Sequence, residues 1–176
     1  MQPGDLVLVA TDKSPICTAI QNIQSSLKSG SPTHGDPKWT HVGIYVADGM
    51  MLESVPRLGV RYCTVERYAI TRDIHVRRLT QKATAVSALQ GARVVRVAAE
   101  FFEKKYSIAS IAVHLLNHSK ISSPSAFFCS TFVAVVYAKA LKVLLDSDAS
   151  HRPLLPATLA KHPSFVDVPI AWRSPA

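Results

Sequence analysis

Cys129, His41 and Glu53 are the residues whose types and placement suit nucleophilic chemistry. Cys129 lies in Ser122-Ser-Pro-Ser-Ala-Phe-Phe-Cys-Ser-Thr-Phe-Val133, at the head of the strongest helical pattern in the chain. Ser123 or Ser125 can cap that helix, which puts Cys129 within its first turn or so. The N–H groups there lack partners inside the helix and the helix dipole is positive, and both favour a thiolate. A purely structural reading competes with this one. Phe128, Phe132, Val133, Val136 and Ala140 surround the position, and free cysteine is among the most buried residue types.

His41 opens the run His41-Val-Gly-Ile-Tyr-Val46, where strand alternation puts His41, Gly43 and Tyr45 on one face and Val42, Ile44 and Val46 on the other. A lone histidine on a strand is usually structural. Glu53, on the returning strand, changes that, and the turn length decides whether the two can meet. A two-residue Asp48-Gly49 loop would pair Ile44 with Glu53 and leave His41 on the opposite face. A three-residue loop Ala47-Asp48-Gly49, with Gly49 left-handed and a bulge after it, pairs Gly43 with Glu53. His41 and Glu53 then share a face as diagonal neighbours, roughly 7–8 Å apart and within reach of a long side chain. A catalytic pair therefore predicts the three-residue loop.

The elements that must position these residues read as strands first and helices later. Strands are expected over Asp5 to Ala10, Thr40 to Val46, Met50 to Val55, Val60 to Val65 and Ile74 to Leu79, with a short one from Phe165 to Ile170. Helical patterns cover Pro15 to Leu27, with Ser14 as cap and Pro15 at the first position, then Lys82 to Lys105, Ser107 to His118 and Ser125 to Leu145. Ser29 to Pro37 and, more weakly, Ser147 to Pro156 are breaker-rich stretches, and neither separates segments large enough to be domains. The segregation of strands from helices predicts an α+β fold in one domain over residues 1–176.

The 176 residues carry 20 Lys+Arg against 12 Asp+Glu, a net charge of +8, yet 48% are hydrophobic and 18% charged. That composition excludes a disordered polycation. The apolar run Leu6 to Ala10 is too short for a secretory leader, and Lys139 and Lys142 interrupt the longest apolar stretch, so no membrane span is expected. Cys17, Cys63 and Cys129 are odd in number, with no CxxC pair to suggest a metal knuckle or redox couple. Cys17 and Cys63 read as packing residues. His114 and His118 have helical metal-ligand spacing but no third ligand, and His34, His75, His151 and His162 have no constellation. Arg57, Arg61, Arg67, Arg72, Arg77 and Arg78 cluster in the middle strands, followed by Lys82, Arg93, Arg96, Lys104 and Lys105. No nucleic-acid readout motif accompanies them, so a solvated face is expected for most, and an anionic substrate only if they line the Cys129 cleft.

Pro3-Gly-Asp-Leu-Val7, Trp39-Thr-His-Val-Gly-Ile-Tyr45, Leu52-Glu-Ser-Val-Pro56 with Gly59-Val60, Phe128-Cys-Ser-Thr-Phe-Val133 and Leu155-Pro-Ala-Thr-Leu159, in that order, resemble the permuted papain-like cysteine amidases. These are NlpC-superfamily proteins of the YiiX/YaeF type. The resemblance implies a permuted papain-like fold, an antiparallel sheet or half-barrel packed on helices, with the histidine strand first and the cysteine helix last. It implies Cys129 as nucleophile, His41 as base, Glu53 as the group orienting the imidazole, and Tyr106 as part of the oxyanion site. One departure is that Ser130-Thr131 follows the cysteine where many relatives carry Ser-Glu.

The expected function is therefore cysteine-dependent cleavage of an amide, in a cell-wall peptide or an N-acyl or lipid-type amide, through an acyl-thioester. No cofactor or metal is required and no nucleic-acid partner is expected; the oligomeric state is open. A lecithin:retinol acyltransferase-like acyltransferase or thioesterase shares the same intermediate, and a non-catalytic basic binding module is the alternative from another class. The cytoplasm is the default location, and a cell-wall substrate would require export, as by a secretion system.

Overall fold

Runs of apolar and β-branched residues build the sheet around a strand buried on both faces. The computed structural model describes residues 1–10, 14–27, 35–55, 58–81, 84–102, 128–145 and 154–170. Strand β1, Leu6–Ala10, has all five residues buried and lies between β2, Trp39–Ala47, and β5, Ile74–Gln81, antiparallel to both. Strands β3, Met50–Val55, and β4, Gly59–Thr64, continue the sheet beyond β2. On the other side β5 also pairs with β6, Thr84–Ala85, and β7, Phe165–Asp167. The sheet order is β4-β3-β2-β1-β5-β6.

Helices α1, Pro15–Leu27, α2, Glu66–Ala69, α3, Ala88–Ala99, α4, Phe128–Leu141, and α5, Pro156–Lys161, complete the described elements. Ser14 caps α1 as expected, its Oγ accepting from the Cys17 N–H at 3.3 Å. The mixture of an antiparallel sheet and packed helices is the α+β fold that the order of patterns predicts.

Side-chain alternation divides the core into two layers. Leu6, Leu8, Val42, Ile44 and Leu52 face α3 and α4 and pack with Val94, Phe132, Val136 and Tyr137. Val7, Val9, Tyr45, Met51 and Val76 make the opposite layer, with Cys63 and Tyr68. Cys129 belongs to the first layer.

Several boundaries differ from expectation. The pattern over Lys82 to Lys105 is not one helix: Thr84–Ala85 pairs with β5, and α3 begins only at Ala88. Ser87 fixes that start through a capping box, its Oγ accepting from Gln90 N–H while the Gln90 side chain accepts from Ser87 N–H. Helix α4 ends at Leu141 rather than Leu145, because Lys142 turns to a left-handed φ of 59°. Strand β7 stops at Asp167. The helical pattern at Ser107 to His118 lies outside the described residues, as do residues 103–105 and 125–127.

The β2–β3 turn corrects the expected loop and keeps its consequence. Ala47 pairs with Met50, so the turn has two residues, Asp48 and Gly49, with φ of 47° and 75°. Positive φ at both central residues is what a type I′ hairpin turn demands, and an Asp-Gly dipeptide supplies it with little strain. The register is shifted instead by an extra residue, Val46, between the Tyr45–Met51 and Ala47–Met50 pairs. Gly43 therefore pairs with Glu53. The face assignment survives with a bulge on the strand in place of a longer loop.

The N-terminal Pro3-Gly4 segment is pressed on α3 at Gly91. A Cβ at Gly91 would stand 2.0 Å from the Pro3 carbonyl oxygen, and one at Gly4, where φ is +86°, would stand 2.8 Å from the Gly91 Cα. Tyr137 of α4 donates its hydroxyl to the Gly4 carbonyl in the same buried place. Because the blocking atoms are backbone, Gly91→Ala is expected to cost about 3 kcal/mol in urea denaturation. Ser87→Ala, which only removes the cap, should cost about 1 kcal/mol. Equal small losses would show that the Pro3–Gly91 contact yields easily.

Candidate active site

Strand β2 enters the site with a second irregularity. Val9 pairs with His41 and Ala10 with Trp39, leaving Thr40 as the extra residue just before the histidine. Gln24 of α1, fully buried, fastens this entry. Its amide nitrogen donates to the carbonyls of Pro37 at 2.9 Å and Trp39 at 3.0 Å, and its oxygen accepts from the Ala157 N–H of α5 at 3.0 Å. The strand that presents His41 is thus tied to two helices.

His41 and Glu53 meet on one face, with His41 Nε2 2.6 Å from Glu53 Oε2. The Cys129 side chain is the other group close enough to the imidazole to raise its affinity for a proton. Since Nε2 is engaged by Glu53, Nδ1 is the nitrogen left for the thiol. Cys129 lies in the first turn of α4 and is 5% exposed, while the His41 side chain is 16% exposed. The pair is nearly dry but not sealed. Tyr106, the fourth residue expected at the site, lies outside the described residues.

Glu53 has more partners than the sequence suggested. Its side chain is wholly buried. Arg61, directly opposite on β4, donates to Oε1 from Nε at 2.9 Å and lies 2.8 Å away through Nη2. Tyr68, from α2, donates its hydroxyl to Oε2 at 2.7 Å. Its ring lies 5.7 Å from the His41 ring and 5.1 Å from the Arg72 guanidinium. Arg61 was legible only as one of a basic cluster, although the short β3–β4 connection already sets it near Glu53. Tyr68 had no signal, since α2 is a four-residue helix without periodicity.

The electrostatics follow from these contacts. Burial opposes a charge on His41, yet the hydrogen bonds and charges of Cys129 and Glu53 outweigh it and raise the imidazole to about 10. Burial likewise opposes a charge on Glu53, but His41, Tyr68 and Arg61 together pull the carboxyl down to about 2. Burial and the adjacent carboxylate raise the Tyr68 phenol, which therefore stays a donor. Burial and the same carboxylate push the Cys63 thiol up to about 12. That suits the packing role expected of Cys63. Cys17, Cys63 and Cys129 are all free thiols.

Arg67, Arg93 and Arg96 are exposed, as expected of most of the basic residues, while four of the middle arginines are engaged inside the fold. Arg61 serves Glu53, and Arg72 lies over Tyr68. Arg78 grips buried Asp5 through Nε at 2.7 Å and Nη2 at 2.8 Å. Arg77 donates to the carbonyls of Leu159, Ala160, His162 and Phe165, holding the end of α5 against β7. Arg57, His34, His114, His118 and His151 lie outside the described residues. Among the described residues no group of three or more His, Cys, Asp or Glu is placed to hold a metal, and no helix is long and apolar enough to cross a membrane.

Residues 1–155 match the family described as permuted papain-like amidase enzyme, YaeF/YiiX, C92 family, and the chain belongs to it. The crystal structure of metalloprotein yiiX from Escherichia coli O157:H7 shares the fold, with a TM-score of 0.59 over 98% of both chains at 18% identity. No curated protein matches the chain in sequence.

The two shifted groups give the site a pH signature in stability. Glu53 is lowered from 4.5 to about 2 on folding, so its contribution is full above pH 4.5 and is lost as pH falls towards 2. His41 is raised from 6.5 to about 10, so its contribution is full below pH 6.5 and is lost as pH rises towards 10. The difference in melting temperature between the native chain and a His41→Asn/Glu53→Gln double variant should peak between pH 4.5 and 6.5. A difference independent of pH would contradict the assignment.

Proposed function

We propose that this permuted papain-like amidase works with Cys129 as nucleophile, His41 as the base and acid that serves it, and Glu53 as the group that orients His41. One observation carries the reading: a single imidazole is hydrogen-bonded to a buried carboxylate at 2.6 Å, and the Cys129 side chain lies close enough to raise its affinity for a proton. That is the relation a nucleophile, its base and an orienting third group require.

With its proton on His41, Cys129 attacks the amide carbonyl carbon and forms a C–S bond. The charge that develops on the carbonyl oxygen needs N–H donors, and the first turn of α4 offers its backbone there. His41 returns the proton to the amide nitrogen, the C–N bond breaks, and an amine leaves the acyl-thioester. Water then attacks, giving a proton to His41 and releasing the acid. Throughout, Glu53 fixes the imidazole tautomer. The substrate we propose is an amide in a cell-wall peptide or an N-acyl or lipid-type compound. The same thioester would pass to another acceptor in an acyltransferase, so the acceptor is the point to measure.

Iodoacetamide at pH 6 should label Cys129 well ahead of Cys17 and Cys63. Mass spectrometry of the protein after incubation with muropeptides, or separately with N-acyl amides, should find an acyl mass on Cys129 with one of them and free acid in solution. Cys129→Ala should keep the fold and lower turnover by on the order of 10³-fold or more. Equal, slow labelling of all three cysteines would overturn the reading.

A further inference from the structure

We propose that Arg61 and Tyr68 are positioning residues of the Cys129 site and act on it through Glu53; this rests on the roles proposed above for Cys129, His41 and Glu53. The Glu53 carboxylate has two oxygens, and they are divided. Oε1 faces the Arg61 fork, through Nε at 2.9 Å and Nη2 at 2.8 Å. Oε2 takes the Tyr68 hydroxyl at 2.7 Å and His41 Nε2 at 2.6 Å. A carboxylate bonded only to His41 could rotate about its last torsion and offer either oxygen, because such torsions are broad. With Oε1 held by a planar, two-pronged donor, Oε2 alone is left for the imidazole. Tyr68 then fixes where Oε2 sits, and so how the imidazole is turned relative to Cys129.

The surrounding structure is built to deliver these two groups. Val7, Val9 and Met51 make the layer on this face of the sheet, and an apolar residue at position 53 would pack there without any desolvated charge. Arg61 comes from the cross-strand position opposite Glu53. Tyr68 is the buried residue of α2, and the chain entering α2 is pinned by Val65 N–H donating to the Gly49 carbonyl at 2.8 Å. The Asp48-Gly49 turn thus anchors the segment bearing Tyr68 as well as reversing the chain between His41 and Glu53.

The titratable and charged groups facing Glu53 are His41 from β2, Arg61 and Cys63 from β4, and Tyr68 from α2, with Cys129 of α4 beyond the imidazole. Removing the Arg61 fork or the Tyr68 hydroxyl frees the carboxylate to turn, so that Oε2 no longer sits in one place. Both changes also loosen the imidazole, so both make the Cys129 thiolate harder to form.

The test is the pH profile of Cys129 alkylation by iodoacetamide, which needs no substrate, in the native chain and in Tyr68→Phe, Arg61→Met and Arg61→Lys. The expected result is that Tyr68→Phe and Arg61→Met move the half-maximal pH upward by about one unit, roughly a tenfold loss of rate on the acid side. Arg61→Lys, which keeps the charge without the fork, should fall between Arg61→Met and the native chain. Tyr68→Phe is nearly isosteric and keeps the test open if Arg61→Met does not fold. Native-like profiles in folded variants with lowered melting temperatures would reduce both residues to structural roles and overturn the proposal. Full restoration by lysine would overturn it for Arg61. Preferential labelling of Cys129 in the native chain keeps these outcomes separate from the proposed function, whose own failure would appear as no preference for Cys129 at all.

Discussion

Glu53 sits within an antiparallel sheet with its side chain wholly removed from water. An ionised carboxylate in such a place destabilises the fold unless donors of the right geometry meet it. The neighbouring elements supply them one by one. Strand β2 brings His41, β4 brings Arg61 and the short helix α2 brings Tyr68. None of these could be shifted by one residue without turning its side chain to the other face or away from the carboxylate. The bulge at Val46 and the Asp48-Gly49 turn set the most sensitive of these alignments, Gly43 against Glu53.

The same carboxylate explains how the two halves of the protein cooperate. Tyr68 belongs to the core layer on one side of the sheet and Cys129 to the layer beneath α3 and α4. His41 connects them: its Nε2 meets Glu53 Oε2 at 2.6 Å, and the Cys129 side chain is the other group that raises its affinity for a proton. A proton on His41 is stabilised by both neighbours, and that is the state in which a cysteine can act as a thiolate. Cys63 is buried and meets the same carboxylate as a repelling charge, which Arg61 and Arg67 offset only in part, and its thiol is driven up to about 12.

Much of this was legible from residue order. Alternation along His41-Val-Gly-Ile-Tyr-Val46 and the Asp48-Gly49 signal left two registers open, and the one that puts His41 and Glu53 on one face is reached through a bulge on the strand, which composition does not mark. The helix that carries Cys129 was visible from its apolar run. Tyr68 was not, because a helix of one turn has no period to detect, and its contact with Glu53 spans 15 residues of chain. The net charge of +8 misled in a similar way. Arg61, Arg77 and Arg78 count as positive in the composition, yet each is matched inside the fold by a carboxylate or by carbonyl oxygens that only tertiary structure supplies.

The state on which the site turns is a protonated His41 between Cys129 and Glu53. Nitrogen-15 NMR of the histidine ring, titrated from pH 5 to 10 in the native chain and in Glu53→Gln, reads that state directly. The His41 ring should keep both nitrogens protonated well above neutral pH in the native chain, consistent with a value raised to about 10. In Glu53→Gln its titration should fall back towards the ordinary 6.5. A native His41 that titrates near 6.5, unmoved by loss of Glu53, would contradict the account.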